Sequence, residues 1–369
     1  MDFIVKNQNV RPIAVVDLYS SAIWAERYSD VGEFELYMPL NSNYLDFLAV
    51  GNYLTIKDSD RAMIIESMQL ESKLNSGEKI VLFKGRSLES ILKRRIIWTQ
   101  TSLTGNIVSV VQSILNANII NPTVSVNERV SPRTIPNFIF GGAADSDTTA
   151  YLQSVGTIEC QFNGETVFDA IKSICEQVNL GFKIVFNDAG KFVFYLYYGT
   201  NRTLSQAVRD AIVFSPEYDT LISSRYLQDY TPYRNVALVE GEEKENEPRK
   251  REIVYAGSTE PSGLDRRELY VSASDIRSEE DGQTLSDSEY RNLLRYKGYL
   301  ELQENRVSTA FDGEVETNIG PQFNRDYFLG DFVSTMNEFG LGSVAQITEY
   351  IRSYDAKGYS AYPSFVMIN

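Results

Sequence analysis

Residues 32–39, Gly32-Glu33-Phe34-Glu35-Leu36-Tyr37-Met38-Pro39, have the pattern of one strand in a half-buried sheet. Apolar side chains occupy every second position and more polar ones lie between them, which is the period of a strand with one buried face. Pro39 ends the run because proline cannot donate to a strand ladder. A second block of glycine, acid and aromatic, Gly330-Asp331-Phe332-Val333, lies near the other end of the chain. The sequence therefore predicts strand-rich structure at both ends.

The strand pattern around the first block extends over residues 1–98. Two long runs, Ala62 to Lys73 and Glu78 to Lys84, flank Asn75-Ser76-Gly77, which predicts a β-hairpin. Ser87 is expected to cap a short helix that follows the second run. We interpret this segment as a first barrel-like domain.

Helical spacing dominates parts of the middle of the chain. We expect one amphipathic helix within Thr104–Asn116 and another from Thr166 onward, followed by a hairpin. Ser286 and Glu289 have the spacing of a capping box, which predicts that the longest helix spans about residues 286–305. These helices interrupt the strand pattern of the two ends.

The predicted fold class is α+β, with two strand-rich barrel-like domains, an inserted α+β domain and a helical connector. The predicted domains are residues 1–98 (first barrel-like domain), 99–205 (insert), 206–275 with 306–369 (second barrel-like domain) and 276–305 (connector). Within the second domain, Tyr218–Leu227 and Tyr233–Glu240 are expected to form a hairpin. Because both ends show a glycine-acid-aromatic block and then a long hairpin, we expect the two barrel-like domains to be related.

Composition excludes several classes of catalytic site. The 369 residues contain no histidine and only two cysteines, so a Ser-His-Asp triad, a Cys-His pair and an imidazole metal site are impossible. Cys175 lies on the apolar face of a predicted helix and is expected to be a buried free thiol. The formal net charge of −15 argues against a nucleic-acid binder, which needs basic patches. We therefore predict no catalytic, cofactor-binding or metal-binding residue.

The sequence shows no targeting or membrane segment. The first residues lack the charged and apolar regions of a secretory signal, so we expect synthesis in the cytoplasm without export. No run of eighteen apolar residues is present, so we expect no insertion into a membrane.

Six short motifs resemble the tail hub, or baseplate hub, proteins of Gram-positive-type phages and phage-like particles. They occur in the same order as in that family, over about residues 20–95 and 320–369. The motifs are Trp24…Arg27-Tyr28…Gly32-Glu33-Phe34-Glu35-Leu36…Pro39, Ile64-Ile65-Glu66-Ser67, Phe83-Lys84-Gly85-Arg86-Ser87-Leu88, Tyr327-Phe328-Leu329-Gly330-Asp331-Phe332-Val333, Ile347-Thr348-Glu349 and Tyr362-Pro363-Ser364-Phe365.

The resemblance implies a structural role in a virion rather than enzymatic activity. Hubs of this family carry two similar barrel-like domains per chain, and three chains form a ring that continues the tail tube and anchors a central fibre or spike. The implied partners are further copies of the chain, the tail tube or distal tail protein, the tape measure protein and the fibre or spike. Some members add a C-terminal lytic or host-binding module, which we do not expect after the last predicted strand.

An acidic chain is suited to line a channel through which DNA passes without binding, because like charges repel. The acids expected on exposed strand faces are Glu33, Glu35, Glu66, Glu71 and Asp331. For any single one of these acids, we expect an ordinary solvated side chain rather than a role in lining the channel.

Seven residues are the candidates for structural and assembly roles. Three glycines are expected to form turns before strands, and Arg27 is expected to pair with a carboxylate. The set is Trp24, Arg27, Gly32, Phe34, Gly85, Gly330 and Asp331. Two alternative functions remain open, a tail-tip adhesin that binds carbohydrate through aromatic side chains and a cell-wall hydrolase that uses a carboxylate pair.

Overall fold

The computed structural model describes residues 1–40, 42–73, 78–122, 133–244, 247–280, 283–316, 320–340 and 342–368. In the described residues, strands from both ends of the chain join in one large sheet, while four smaller sheets and most helices occupy the middle segments. The α+β class is confirmed. The predicted hairpin turn at Asn75-Ser76-Gly77 lies outside the described residues.

The N-terminal strands form what we call the first β unit. Its elements are β1 (Phe3–Lys6), β2 (Pro12–Val16), β3 (Ser21–Arg27), β4 (Glu33–Pro39), α1 (Ser42–Leu45), β5 (Tyr53–Ile56), β6 (Ala62–Lys73) and β7 (Glu78–Ser87). The strand order is β3-β4-β7-β6-β5-β1-β2. The period-two prediction for β4 is confirmed, since Phe34, Leu36 and Met38 are at most 1% exposed and belong to one apolar core.

The insert alternates strands with helices. Its elements are a 3-10 helix (Leu88–Arg94), β8 (Thr101–Gly105), α2 (Ile107–Leu115), a π-helical turn (Asn116–Ile120), β9 (Phe138–Ala143), α3 (Ser146–Ser154), β10 (Ile158–Phe162), α4 (Val167–Gln177), β11 (Gly181–Phe186) and β12 (Phe192–Tyr197). The two predicted helices are present as α2 and α4. Thr166 caps α4 by accepting a hydrogen bond from the Asp169 backbone.

The expected cap at Ser87 is wrong. The helix after it is a 3-10 helix, and the Ser87 side chain makes no capping hydrogen bond. Instead the Gly32 backbone N–H donates to Ser87 Oγ at 2.8 Å. Ser87 therefore ties the β3–β4 connection to the end of β7.

Residues 213–304 leave the large sheet after two strands. The elements are β13 (Val213–Phe214), a 3-10 turn (Pro216–Tyr218), β14 (Arg225–Asp229), β15 (Val236–Glu240), β16 (Arg251–Tyr255), a 3-10 turn (Gly263–Asp265), β17 (Glu268–Ser272), β18 (Glu279–Glu280), β19 (Gln283–Thr284) and α5 (Asp287–Glu304). Strands β15, β16 and β17 form a separate sheet. The predicted capping box of α5 is confirmed at Ser286 and Glu289.

The expected hairpin between Tyr218–Leu227 and Tyr233–Glu240 is wrong. Strand β14 pairs with a strand from the C-terminal region, and β15 pairs with β16 and β17. The reason is burial, because Ala237 and Val239 on β15 share an apolar core with Leu294 of α5. The borders of the four predicted domains stay predictions.

The C-terminal strands complete what we call the second β unit. They are β20 (Ser308–Asp312), β21 (Phe332–Met336), β22 (Gly342–Asp355) and β23 (Gly358–Met367). Together with the two earlier strands they run in the order β14-β20-β23-β22-β21-β13. Their own apolar core includes Phe214, Phe311 and Phe365, each at most 1% exposed.

The two β units repeat one arrangement. The antiparallel strand order β3-β4-β7-β6-β5 of the first corresponds to β14-β20-β23-β22-β21 of the second. The next strand differs, because β1 runs antiparallel to β5 whereas β13 runs parallel to β21. Paired residues form matching rows across the first four strands of each order. The rows are Trp24, Phe34, Gly85 and Ile65 in the first unit and Tyr226, Phe311, Phe365 and Ile347 in the second.

The backbone hydrogen bonds at the end of these rows also match. Gly51 N–H donates to Ile65 O, and Ile65 N–H donates to Asn52 O; likewise Gly330 N–H donates to Ile347 O, and Ile347 N–H donates to Asp331 O. A β-bulge follows each isoleucine. The expected relation between the strand-rich ends is therefore present, but its alignment is wrong. Gly330-Asp331 corresponds to Gly51-Asn52 and not to Gly32-Glu33.

Candidate functional site

The two β units join where β3 pairs with β22. The pairing is antiparallel and runs from Arg27 opposite Glu349 to Ala22 opposite Tyr354. It makes one continuous sheet of the two units. The pairing fixes the position of the two β units relative to each other. Most of the candidate residues lie at or near this junction.

A buried ion pair crosses the junction. The Arg352 guanidinium on β22 donates to the Glu26 carboxylate on β3, and the Trp24 indole Nε1–H donates to the same carboxylate at 2.9 Å. The side chains of Arg352 and Glu26 are 5% and 2% exposed. Burial alone would lower the pKa of Arg352, but the charge and hydrogen bond of Glu26, together with Tyr359 and Tyr350, outweigh it and the pKa is raised. Arg352 is therefore charged in the folded structure, where it pairs with Glu26.

Arg27 forms a second, more exposed link. Its Nε donates to Glu349 Oε1 at 2.7 Å, and a terminal nitrogen donates to Glu33 Oε1 at 2.7 Å. The other terminal nitrogen donates to the Val31 carbonyl. The prediction that Arg27 pairs with a nearby carboxylate is confirmed, with one partner on each β unit.

A third cluster connects the first β unit to the insert. Arg61 donates to Glu89 Oε1 at 2.6 Å and to the Tyr197 hydroxyl at 2.9 Å. The Tyr197 hydroxyl in turn donates to the Tyr28 carbonyl at 3.1 Å. Burial raises the pKa of Tyr197, so its hydroxyl keeps the proton that it donates.

Gly330 lies against the Tyr28 ring. Its φ of 90° is in the left-handed region, as a turn before β21 requires. A Cβ at this position would overlap the Tyr28 ring, and one at Gly181 would overlap the same ring from the insert. Tyr28 is therefore enclosed between two glycines, and its hydroxyl donates to the Asn179 carbonyl at 3.0 Å.

Asp331 is a buried hydrogen-bond acceptor. It is 2% exposed, and its carboxylate accepts from Thr200 N–H at 2.7 Å, Arg202 Nε at 2.7 Å and Phe328 N–H at 3.0 Å. Burial raises the pKa of Asp331, against the lowering effect of these donors. The expectation that Asp331 is exposed on a strand is wrong, because its carboxylate is buried against the segment after β12, which supplies Thr200 and Arg202 as donors.

The two other predicted turn glycines have a different role. Gly85 lies inside β7, where a Cβ would overlap the Ile64 carbonyl and the Phe34 ring. Gly32 lies in the β3–β4 connection, where a Cβ would overlap the Ala25 carbonyl. Neither has a positive φ. Close backbone approach, rather than turn conformation, accounts for these two glycines.

A family model described as Siphovirus ReqiPepy6 Gp37-like protein matches residues 3–365. The chain belongs to this family. No curated protein sequence matches the chain significantly. The resemblance to phage tail proteins drawn from the six motifs is confirmed.

Solved structures of tail proteins share the fold over the full length. The prophage MuSo2 43 kDa tail protein from Shewanella oneidensis is 13% identical with a TM-score of 0.59, covering 100% of this chain and 98% of that one. A tail protein from Neisseria meningitidis MC58 is 12% identical with a TM-score of 0.55, covering 99% and 96%. Prophage tail protein gp18 from Listeria monocytogenes EGD-e is 12% identical with a TM-score of 0.50, covering 99% and 94%.

A cleft of about 1000 Å³ lies beside the β3–β22 junction. Its lining includes Glu26, Arg61, Asp331 and Arg352, whose charges already serve the contacts described above. Within the described ranges, no group of three or more Cys, Asp or Glu side chains could hold a metal ion. In that same part of the chain, no helix is both long and apolar enough to cross a membrane.

Sequence reasoning found Trp24, Arg27 and Gly330 but missed their partners. Glu26 has a local signal, since it lies two residues after Trp24 and therefore on the same face of the strand. Arg352 has no such signal. Tyr28 belongs to the first motif, but its contacts with Gly181 and Gly330 involve segments far apart in the sequence.

Proposed function

We propose that the chain is the structural hub of a phage or phage-like tail tip, where three copies form a ring. The observation that carries the proposal is the internal repeat, in which one chain contains the same five-strand antiparallel arrangement twice. A trimer would then present six equivalent β units. Such a ring would match a sixfold tail tube on one side and a threefold central fibre or spike on the other.

The junction supports this role because a ring needs fixed angles between its units. The β3–β22 ladder, the buried Glu26–Arg352 pair and the Tyr28 packing would hold the two units of one chain at a constant orientation. Closure of a ring would also cover strand edges that otherwise promote aggregation. The proposed partners are the tail tube or distal tail protein, the tape measure protein and the fibre or spike, in a virion.

The proposed ring would have an acidic lumen that DNA passes without specific binding. The net charge of −15 supports this part of the proposal. Asp331 is excluded from the lumen by burial. Glu33, Glu35 and Glu66 have cationic partners in Arg27, Lys84 and Arg86, so other acids would supply most of the field.

The test is the mass of the purified chain in solution by light scattering, with negative-stain images of the same peak. We expect the mass of three 41.8-kDa chains and an annular outline with six lobes. A monomer at every concentration up to about 100 μM, or a dimer, would contradict the hub. Glycan binding by such a monomer would favour the adhesin instead.

A further inference from the structure

Among the exposed strand edges of the large sheet, which also include β2, two are related to the junction by the internal repeat. One is β14, where Tyr226 is 36% and Leu227 is 41% exposed. The other is residues 67–72 of β6, where Met68 is 43% and Leu70 is 53% exposed. In the described part of the chain, β14 pairs only with β20, and residues 67–72 pair only with β7. Apolar side chains on unpaired edges are typical of a surface that another strand covers.

The internal repeat identifies what covers such edges. Strand β14 corresponds to β3, and β6 corresponds to β22. Within the chain, β3 pairs with residues 349–354 of β22, which correspond to residues 67–72 of β6 when counted from the matching bulges. Each exposed edge is therefore the equivalent of an edge that is paired at the junction.

Side chains at equivalent positions are buried on the paired edges and exposed on the unpaired ones. Tyr350 and Arg352 on β22 are both buried, whereas their equivalents Met68 and Leu70 are exposed. Trp24 on β3 is fully buried, whereas its equivalent Tyr226 is exposed. The difference is what the missing strand partner would produce.

We propose that β14 of one copy pairs antiparallel with residues 67–72 of β6 in a second copy, repeating the β3–β22 pairing between chains. This inference rests on the proposed ring and names the contact that closes it. Each copy has one edge of each kind, so the contact is head-to-tail and closes a ring when the rotation between copies permits.

The repeat fixes the register of this contact. At the junction Trp24 lies opposite Arg352, Ala25 opposite Ile351 and Ile23 opposite Ser353. The equivalent pairs between two copies are Tyr226 with Leu70, Leu227 with Gln69 and Arg225 with Glu71. The first pair buries two apolar side chains, and the last places opposite charges face to face.

Backbone groups support the same register. The Tyr28 N–H donates to Thr348 O at the junction, so residues alternating with Thr348, including Arg352, direct their backbone groups to β3. By equivalence Leu70 directs its backbone N–H outward, away from β7. Arg225–Glu71 and Leu227–Gln69 then fall at non-hydrogen-bonded positions, where opposing side chains are closest.

Disulfide trapping tests the register. The full-length double variant Leu227→Cys/Gln69→Cys should give dimers and trimers on a non-reducing gel after mild oxidation. The native Cys160 and Cys175 are buried and do not interfere. The control is Leu227→Cys/Ser67→Cys, whose Cα atoms would lie about 8 Å apart in this register, beyond disulfide reach. We expect at least about tenfold less cross-linking in the control.

The outcomes separate the two proposals. A trimer by light scattering without the Leu227–Gln69 cross-link, or with equal cross-linking in the control, overturns this contact but leaves the hub proposal standing. A monomer without cross-links overturns both. Cross-linked trimers, together with a control variant that does not cross-link, support both the contact and the hub proposal.

Charge reversal gives an independent readout. Arg225→Glu and Glu71→Arg should each cause loss of trimer at low ionic strength, and the double reversal should restore it. Single variants that remain fully trimeric, or a double variant that stays dissociated, would count against the Arg225–Glu71 pair. Circular dichroism of each variant separates loss of assembly from loss of folding.

Discussion

The Arg352 guanidinium contacts the Glu26 carboxylate across the β3–β22 junction, and neither side chain is more than 5% exposed. Removing one member leaves the other charged and buried without its partner, which costs about 3–5 kcal/mol in comparable pairs. We therefore expect Glu26→Gln to lower the free energy of unfolding by roughly that amount. The measurement is urea denaturation followed by the fluorescence of the two tryptophans, Trp24 and Trp98.

The control for this prediction is a more exposed ion pair, in which Asp326 is 33% exposed. Arg325 is 68% exposed and contacts Asp326 at 2.7 Å. We expect Asp326→Asn to change the free energy of unfolding by about 1 kcal/mol or less. Equal costs for Glu26→Gln and Asp326→Asn would refute a special role for the junction pair.

Gly330→Ala is expected to destabilise the protein through two effects. The φ of 90° disfavours any side chain, and the new Cβ would overlap the Tyr28 ring. Gly142→Ala is the matched control, because Gly142 also has a positive φ of 80° but nothing lies within 4 Å of its Cβ position. We expect the control to lose about 1–2 kcal/mol and Gly330→Ala clearly more, as measured by chemical denaturation. A smaller loss at Gly330 would mean that Tyr28 moves aside freely.

Local patterns in the sequence predicted single strands and helices but not how those elements pair. Strand β4 and helix α5 were predicted because a period of two and a capping box are written in neighbouring residues. The β3–β22 junction was not, since Arg27 and Glu349 are 322 residues apart. No local pattern states which edges of two strand-rich segments will pair.

The sequence predicted that the two strand-rich ends are related, but it matched the wrong residues with each other for a similar reason. The equivalence of Gly51-Asn52 and Gly330-Asp331 lies in the backbone hydrogen bonds to Ile65 and Ile347, not in residue type. Acidity also misled the interpretation of Asp331, which was expected to be exposed. Its burial depends on donors from Thr200 and Arg202, which come from a different part of the chain.

Both cysteines are expected to resist thiol reagents in the folded protein. Burial raises the pKa of Cys160 to about 12 and also raises that of Cys175, so almost no thiolate is present at pH 8. Labelling with a chromogenic disulfide should be at least about a hundredfold slower in buffer than in denaturant, where both thiols react. Rapid labelling of one thiol under native conditions would place it in a region that opens locally.

The Asp30–Lys172 pair is expected to make stability depend on pH at the acidic end. Lys172 Nζ on α4 lies 2.7 Å from Asp30 Oδ2 in the β3–β4 connection. Burial alone would raise the pKa of Asp30, but the hydrogen bonds from Lys172 and Val31 outweigh it and lower the pKa. The folded state therefore favours the carboxylate, which stabilises the protein above the unfolded-state pKa of about 3.9 and ceases to do so as pH falls through the lower folded-state value.

Denaturation of wild type and Asp30→Asn between pH 7 and pH 2.5 measures this contribution of the Asp30 carboxylate directly. The wild type should be more stable at neutral pH, and its advantage should shrink below about pH 4. An advantage that is constant with pH would show that Asp30 contributes through packing and not through its charge.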